Sequence, residues 1–306
     1  MPYSNKREVW PVMLTPFTAT GSVDYAALGE LIEWYIGKGV SGLFAVCQSS
    51  EMFYLSLKER VEIARFVKQK SSVPVIASGH VSYDANEQLD ELNRIADTGA
   101  DAVILITNRM ALEGEGGDVW LRNLEAILNG IDSSVALGLY ECPYPYKRLL
   151  STNELKYCAA SGRFRFLKDT CCDISVIKDR LATLKGSRLD LFNANTATLL
   201  MSLQSGAAGF SGVMANFHPE LYTWLVKNAP EKPREASIVQ AALTMCSYIE
   251  KQVYPVNAKY HQTTIGNFNS YYTRTKDHSS FSALDKDEVS QMALLIDWVK
   301  ETLGIE

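Results

Sequence analysis

Eight short apolar runs alternate with stretches of helical spacing along the first three-quarters of this chain, and few folds accommodate that rhythm. The runs fall at residues 9–14, 42–46, 75–78, 102–107, 136–140, 164–168, 189–193 and 208–211. Each is bounded by turn residues and is too apolar to alternate in and out, as expected of parallel strands buried on both faces. Between them, residues 25–38 place Leu28, Leu31, Ile32 and Tyr35 on one helical face. Residues 57–68, 86–98, 121–129, 153–160, 174–184 and 196–204 continue the series, and Gly39 and Gly99 stand where helices end. Eight strand–helix units in a row predict an α/β fold, a closed (β/α)8 TIM barrel. A dinucleotide-binding sheet would carry G-x-G-x-x-G after an early strand, and none is present. The glycine-rich stretch 113–117 has another spacing and reads as a flexible loop. Beyond about residue 233 only helices are expected, at 234–252 and 285–302, with an aromatic- and Asn-rich stretch at 260–272 between them. The expected organisation is a barrel over 1–226 and a C-terminal helical extension, 227–306, packed on it.

Composition excludes several classes of partner. The net charge is −5, with no cluster of Lys and Arg to suggest nucleic acid. No apolar stretch approaches a membrane span. The first ten residues lack the apolar core of a signal peptide, and the six cysteines form no C-x-x-C pair, so reduced thiols in a cytoplasmic protein are expected. Cys171 and Cys172 are expected to be buried and inert. The four histidines show no metal-ligand spacing, so no metal site is expected.

In a barrel of this kind, chemistry sits at the C-terminal ends of the strands. Lys168 closes the apolar run 164–168. A buried ammonium is costly, so such a lysine is either paired or of lowered pKa, and the neutral amine attacks ketones. A structural salt bridge with Asp169 is the alternative. Tyr140 ends the neighbouring strand, where a phenol can relay a proton or simply pack. Glu141 should point the other way. After the second strand, Gln48, Ser49 and Ser50 form a small polar turn whose N–H groups could hold a carboxylate, with Glu51 fixing the loop.

The order and spacing of these segments resemble the N-acetylneuraminate lyase and dihydrodipicolinate synthase family, the class I pyruvate-dependent aldolases. Leu14-Thr15-Pro16-Phe17 opens the likeness, and Cys47-Gln48-Ser49-Ser50-Glu51 stands where the family has a G-[ST]-T-G-E loop. Tyr140-x-x-Pro143, Leu167-Lys168-Asp169 and Gly206-x-x-Gly209-x-x-Gly212-x-x-x-Asn216 follow in register. The resemblance implies that Lys168 forms a Schiff base with a 2-keto acid and that Tyr140 shuttles the proton. It implies that Gln48, Ser49, Ser50, Gly209 and Ser211 line the substrate site. Asn108, Arg109, Phe210 and Asn216 would face the aldehyde half, with Arg109 free to hold a distal anion. No cofactor is implied beyond the covalent imine, and a homo-oligomer, dimer or tetramer, is expected. Two departures stand out: Cys47 and Ser50 replace glycines, and Thr107-Asn108-Arg109 replaces Pro-Tyr-Tyr, so the tyrosine of an inter-subunit relay is missing. Pro145 stands where synthases place an arginine. The expected activity is a lyase or aldolase on a 2-keto-3-deoxy sugar acid. A dehydratase, a dihydrodipicolinate synthase-like condensation, or a non-catalytic keto-acid-binding barrel are the alternatives.

Overall fold

The computed structural model describes residues 6–305. Its core is one eight-stranded sheet in which every pairing is parallel: β1 (Glu8–Val9), β2 (Leu43–Ala45), β3 (Val75–Ser78), β4 (Ala102–Ile106), β5 (Leu137–Tyr140), β6 (Phe164–Asp169), β7 (Asp190–Asn193) and β8 (Gly209–Phe210). β1 pairs with β8 at one end. The ring closes at the other through a bridge from Val12 to Phe44, where the Met13 N–H donates to Phe44 O over 3.0 Å. The first strand, expected to run unbroken through 14, is therefore split. Pro11 has no N–H to give a ladder, and the chain changes partner from β8 to β2 around it.

Helices α1 (Tyr25–Gly37), α2 (Leu57–Lys70), α3 (Ala85–Ala96), α4 (Gly117–Gly130), α5 (Thr152–Ser161), α6 (Ile174–Leu184), α7 (Leu199–Gln204) and α8 (Pro219–Asn228) form the outer layer. Their starts are set locally. Asp24, Ser56, Asp84, Ser151 and Asp173 accept N–H groups of the first turn, and Glu59 and Glu154 complete capping boxes. α8, not foreseen in the sequence, begins at Pro219 in the first-turn position that proline favours.

Side chains fill the barrel interior, so it is a core and not a pore. Trp10, Phe44, Phe166 and Phe192 meet there, the last two stacked at 4.3 Å between centroids and Trp10 edge-on to Phe166 at 5.6 Å. Strand period two then decides the chemistry. Phe166 points inward, so Lys168 does too, one layer higher, while Asp169 faces the helices. Space between β1 and β8 is tight: a Cβ on Gly209 would lie 1.8 Å from Glu8 O.

The extension consists of α9 (Pro233–Cys246), α10 (Val256–Thr264) and α11 (Ala283–Leu303). The helix expected over 234–252 stops at Cys246 and tightens into a 3-10 turn, Ser247–Lys251. A cis Tyr254–Pro255 bond follows, and α10 occupies the start of the stretch expected to be irregular. Pro255 ends one helix and starts another because it cannot donate to a preceding turn. Among the described residues no helix is long and apolar enough to cross a membrane.

Gly209→Ala should destabilise the protein by about 3 kcal/mol or more, since the added methyl meets backbone and not a movable side chain. A wild-type thermal midpoint for that variant would show that β1 can retreat freely.

Candidate active site

At the C-terminal end of the barrel lies a cavity of about 330 Å³. Gln48, Ser49, Tyr140 and Lys168 line it, so four of the residues singled out in the sequence converge. Lys168 is buried, with its Nζ 4.4 Å from the centre of the Tyr140 ring and 6.0 Å from that of Phe44. No carboxylate among the described residues bonds it. Burial pushes its pKa down to about 8, against the pull of Cys47, Cys142 and Glu250. The salt-bridge alternative fails on geometry, because Asp169 pairs with Arg180 on the outer face.

Arg180 binds a second buried carboxylate as well. Its Nη2 donates to Glu141 Oε1 over 2.7 Å and its Nη1 to Glu141 Oε2 over 2.9 Å. Glu141 also accepts the N–H groups of Leu150 and Thr170. This cluster locks the ends of β5 and β6 together and so sets Tyr140 beside Lys168. Glu141 points outward, as strand alternation requires.

The Tyr140 hydroxyl donates to Gln48 Oε1 over 3.3 Å, and the Cys142 thiol shares that acceptor. Burial raises the Tyr140 pKa well above the ordinary phenol, so it holds its proton at neutral pH. Ser49 Oγ accepts from the Tyr254 hydroxyl over 2.8 Å. Tyr254 in turn accepts from Asn216 Nδ2 over 3.1 Å, and Asn216 Oδ1 accepts from Tyr35. A line of hydroxyls and amide thus runs from α1 to the cavity, all neutral because burial also raises Tyr35 and Tyr254.

The polar turn accommodates both side chains that stand at glycine positions of the family motif. Cys47 (φ −124°) is extended, and Ser50 lies in the 3-10 turn Gln48–Ser50, so neither position needs glycine. The left-handed conformations fall on Val46 and Glu51 instead. Ser50 is turned away from the cavity: its Oγ donates to Met13 O over 2.7 Å and its N–H to Cys47 O. Glu51 does fix the loop, but with distant partners. It takes the Lys259 ammonium over 2.5 Å and the N–H groups of Arg274 and Thr275 over 2.6 and 2.9 Å.

Other expected site residues are placed elsewhere. Gly209 belongs to the β1–β8 contact, and Phe210 stacks on Tyr222 at 4.1 Å. Ser211 is buried away from the cavity wall, its hydroxyl without a partner among the described residues. Asn108 ties down the loop after β5 by donating to the carbonyls of Cys142, Tyr144 and Tyr146. Arg109 lies between the rings of Tyr83 and Phe53, 4.2 and 4.9 Å from their centres, and lines a separate cavity of about 210 Å³. Asn216 acts one step back, through Tyr254. Cys171 and Cys172 are not a buried pair: the first is half-buried and the second exposed.

Part of the cavity wall escaped sequence reasoning. Glu250, Tyr254, Pro255, Thr275 and Lys276 come from the extension. Only the Tyr-Pro pair after a helical stretch hinted that the chain turns there.

A model of the Dihydrodipicolinate synthetase family matches residues 5–276. The chain belongs to that family. It is 30% identical over 213 residues to the 4-hydroxy-tetrahydrodipicolinate synthase of Thioalkalivibrio sulfidiphilus, covering 68% of this chain and 69% of that one. To the synthase of Psychrobacter arcticus it is 26% identical over 257 residues, 81% and 82% of the two chains. The fold matches that of YagE, a prophage protein of the dihydrodipicolinic acid synthase family from E. coli K12 solved with pyruvate. The TM-score is 0.83 at 22% identity, over 96% of this chain and 98% of that one. The synthase of Acinetobacter baumannii, also solved with pyruvate, gives a TM-score of 0.85 at 19% identity, over 95% and 98%. Dihydrodipicolinate synthetase family members are class I aldolases and lyases, and this chain is an enzyme of that type.

Two consequences are measurable. Only a neutral amine adds to a ketone, and the neutral form of Lys168 grows as pH rises through its pKa. Imine formation should therefore climb about tenfold per unit below pH 8 and level off above it. A climb continuing to pH 10 would show an unperturbed lysine. Arg180→Ala should cost about 3–5 kcal/mol in urea unfolding, because Glu141 and Asp169 are left charged and buried. A loss below about 1 kcal/mol would show that water reaches the cluster.

Proposed function

We propose that Lys168 forms an imine with C2 of a 2-keto acid and that the enzyme makes or breaks the bond between C3 and C4. The observation that carries this is an amine of lowered pKa in a cavity, bonded by no carboxylate among the described residues, against the ring of a neutral tyrosine. The amine adds to the keto carbon, and the hydroxyl of the resulting carbinolamine leaves as water. In the cleavage direction the C4 hydroxyl gives up its proton, the C3–C4 bond breaks, and its electron pair passes into the iminium to form an enamine. An aldehyde departs. The enamine then takes a proton at C3, and water releases pyruvate and the free amine. Tyr140, hydrogen-bonded to Gln48, is the group placed to pass the proton. Ser49, held by Tyr254, is the hydroxyl offered to the substrate carboxylate.

The substrate we favour is a 2-keto-3-deoxy sugar acid cleaved to pyruvate and a hydroxylated aldehyde. Condensation of the dihydrodipicolinate synthase kind fits less well, since Asn108 and Arg109 replace the tyrosines and Pro145 the arginine that synthases carry.

Borohydride reduction with pyruvate, followed by peptide mass analysis, tests the chemistry. A reduced adduct on Lys168 is expected, and Lys168→Ala should form none while keeping its fold. An adduct surviving in that variant would put the nucleophile elsewhere. Tyr140→Phe should still trap pyruvate but turn over roughly 10²-fold more slowly. Unchanged turnover would remove Tyr140 from the mechanism.

A further inference from the structure

Two carboxylates line the cavity, and they differ in one respect. Glu51 is fully engaged by Lys259, Arg274 and Thr275. Glu250 forms no hydrogen bond and no ion pair with any described residue. It stands on the 3-10 turn Ser247–Lys251, which packs against the turn Val213–Asn216 that follows β8. Its carboxylate is within electrostatic range of Lys168, Tyr222 and Tyr254. Crowding by protein pushes it up to about 7 despite the neighbouring ammonium.

This position is distinct from that of the carboxylate-binding turn. Ser49 follows β2, whereas Glu250 belongs to the turn that packs against Val213–Asn216, after β8. A 2-keto acid bonded at C2 to Lys168, with its C1 carboxylate toward Ser49, directs its tail to the remaining wall. The groups available there are aliphatic or aromatic apart from Glu250, Thr170, Thr275 and Lys276. Glu250 and Lys276 are both exposed to solvent, which screens each, but of the two only Glu250 lies within electrostatic range of Lys168.

We propose that Glu250 selects the tail of the substrate, accepting hydrogen bonds from a neutral, hydroxyl-bearing chain and rejecting one that ends in carboxylate or phosphate. The inference rests on the imine chemistry proposed above. A carboxylate is an acceptor with several lone pairs, suited to vicinal hydroxyls. A like charge brought against it in a partly desolvated cavity is strongly disfavoured.

The test compares adduct formation at Lys168 by borohydride trapping with three 2-keto acids: pyruvate, 2-keto-3-deoxygluconate and 2-ketoglutarate. The wild-type enzyme should reach half-maximal trapping with 2-keto-3-deoxygluconate at a concentration roughly tenfold or more below that for 2-ketoglutarate. Glu250→Gln, which removes the charge and keeps the shape, should shift that ratio about tenfold toward 2-ketoglutarate, a ratio in which any change in the reactivity of Lys168 itself cancels. An unaltered ratio in a variant that still traps pyruvate would overturn the inference alone. Absence of any pyruvate adduct in the wild-type enzyme would overturn the proposed function and this inference with it.

Discussion

Lys168 is buried at the top of a closed barrel, and nothing negative among the described residues bonds it. Burial makes such an ammonium give up its proton more readily than one in water, and most of the site can be understood as the surroundings that keep it so. Beneath it the stacked rings of Phe166 and Phe192 exclude water. Beside it Tyr140 offers a ring face and a neutral hydroxyl. The one carboxylate adjacent in sequence, Asp169, is held on the other face of the strand by Arg180. Had Arg180 been absent, Asp169 and Glu141 would be buried anions with no counter-charge, and the ends of β5 and β6 would lose the clamp that aligns tyrosine and lysine.

A second ion pair governs how the cavity is roofed. Lys259, in α10, and Glu51, after β2, are both fully buried and joined over 2.5 Å. Burial lowers the Lys259 pKa to about 8 in spite of this partner. The same carboxylate receives two backbone N–H groups from residues 274 and 275, so one side chain holds the extension over the mouth of the barrel. Glu250 and Tyr254 are carried into place by that attachment. Removing lone pairs from Glu51 would thus affect substrate-facing residues that it does not touch.

Much of the fold was legible because its causes are local. Apolar runs bounded by turns marked eight strands, and Gly39 and Gly99 marked helix ends. Lys168 and Tyr140 were legible because they end strands, where alternation dictates which face a side chain takes. Ser50 and Gly209 were misleading for a shared reason. Gly209 stands at a glycine position of its motif and Ser50 replaces a glycine of its own, yet Ser50 bonds Met13 O and Gly209 makes room for Glu8 O, and neither contact is visible along the chain. Arg109 is similar: its place between Tyr83 and Phe53 depends on two loops that meet only when the barrel closes.

By itself, the amino-acid sequence determined the barrel, the inward lysine and tyrosine, and the order of the loops, since strand period and turn chemistry act over a few residues. Tertiary structure alone decided which side chains share the cavity. Ser49 reaches Tyr254 across 205 positions, and Glu51 reaches Lys259 across 208. Contacts so distant leave no periodicity to read. They arise because ring closure and burial of the extension force particular polar groups together out of water, where each must find a partner.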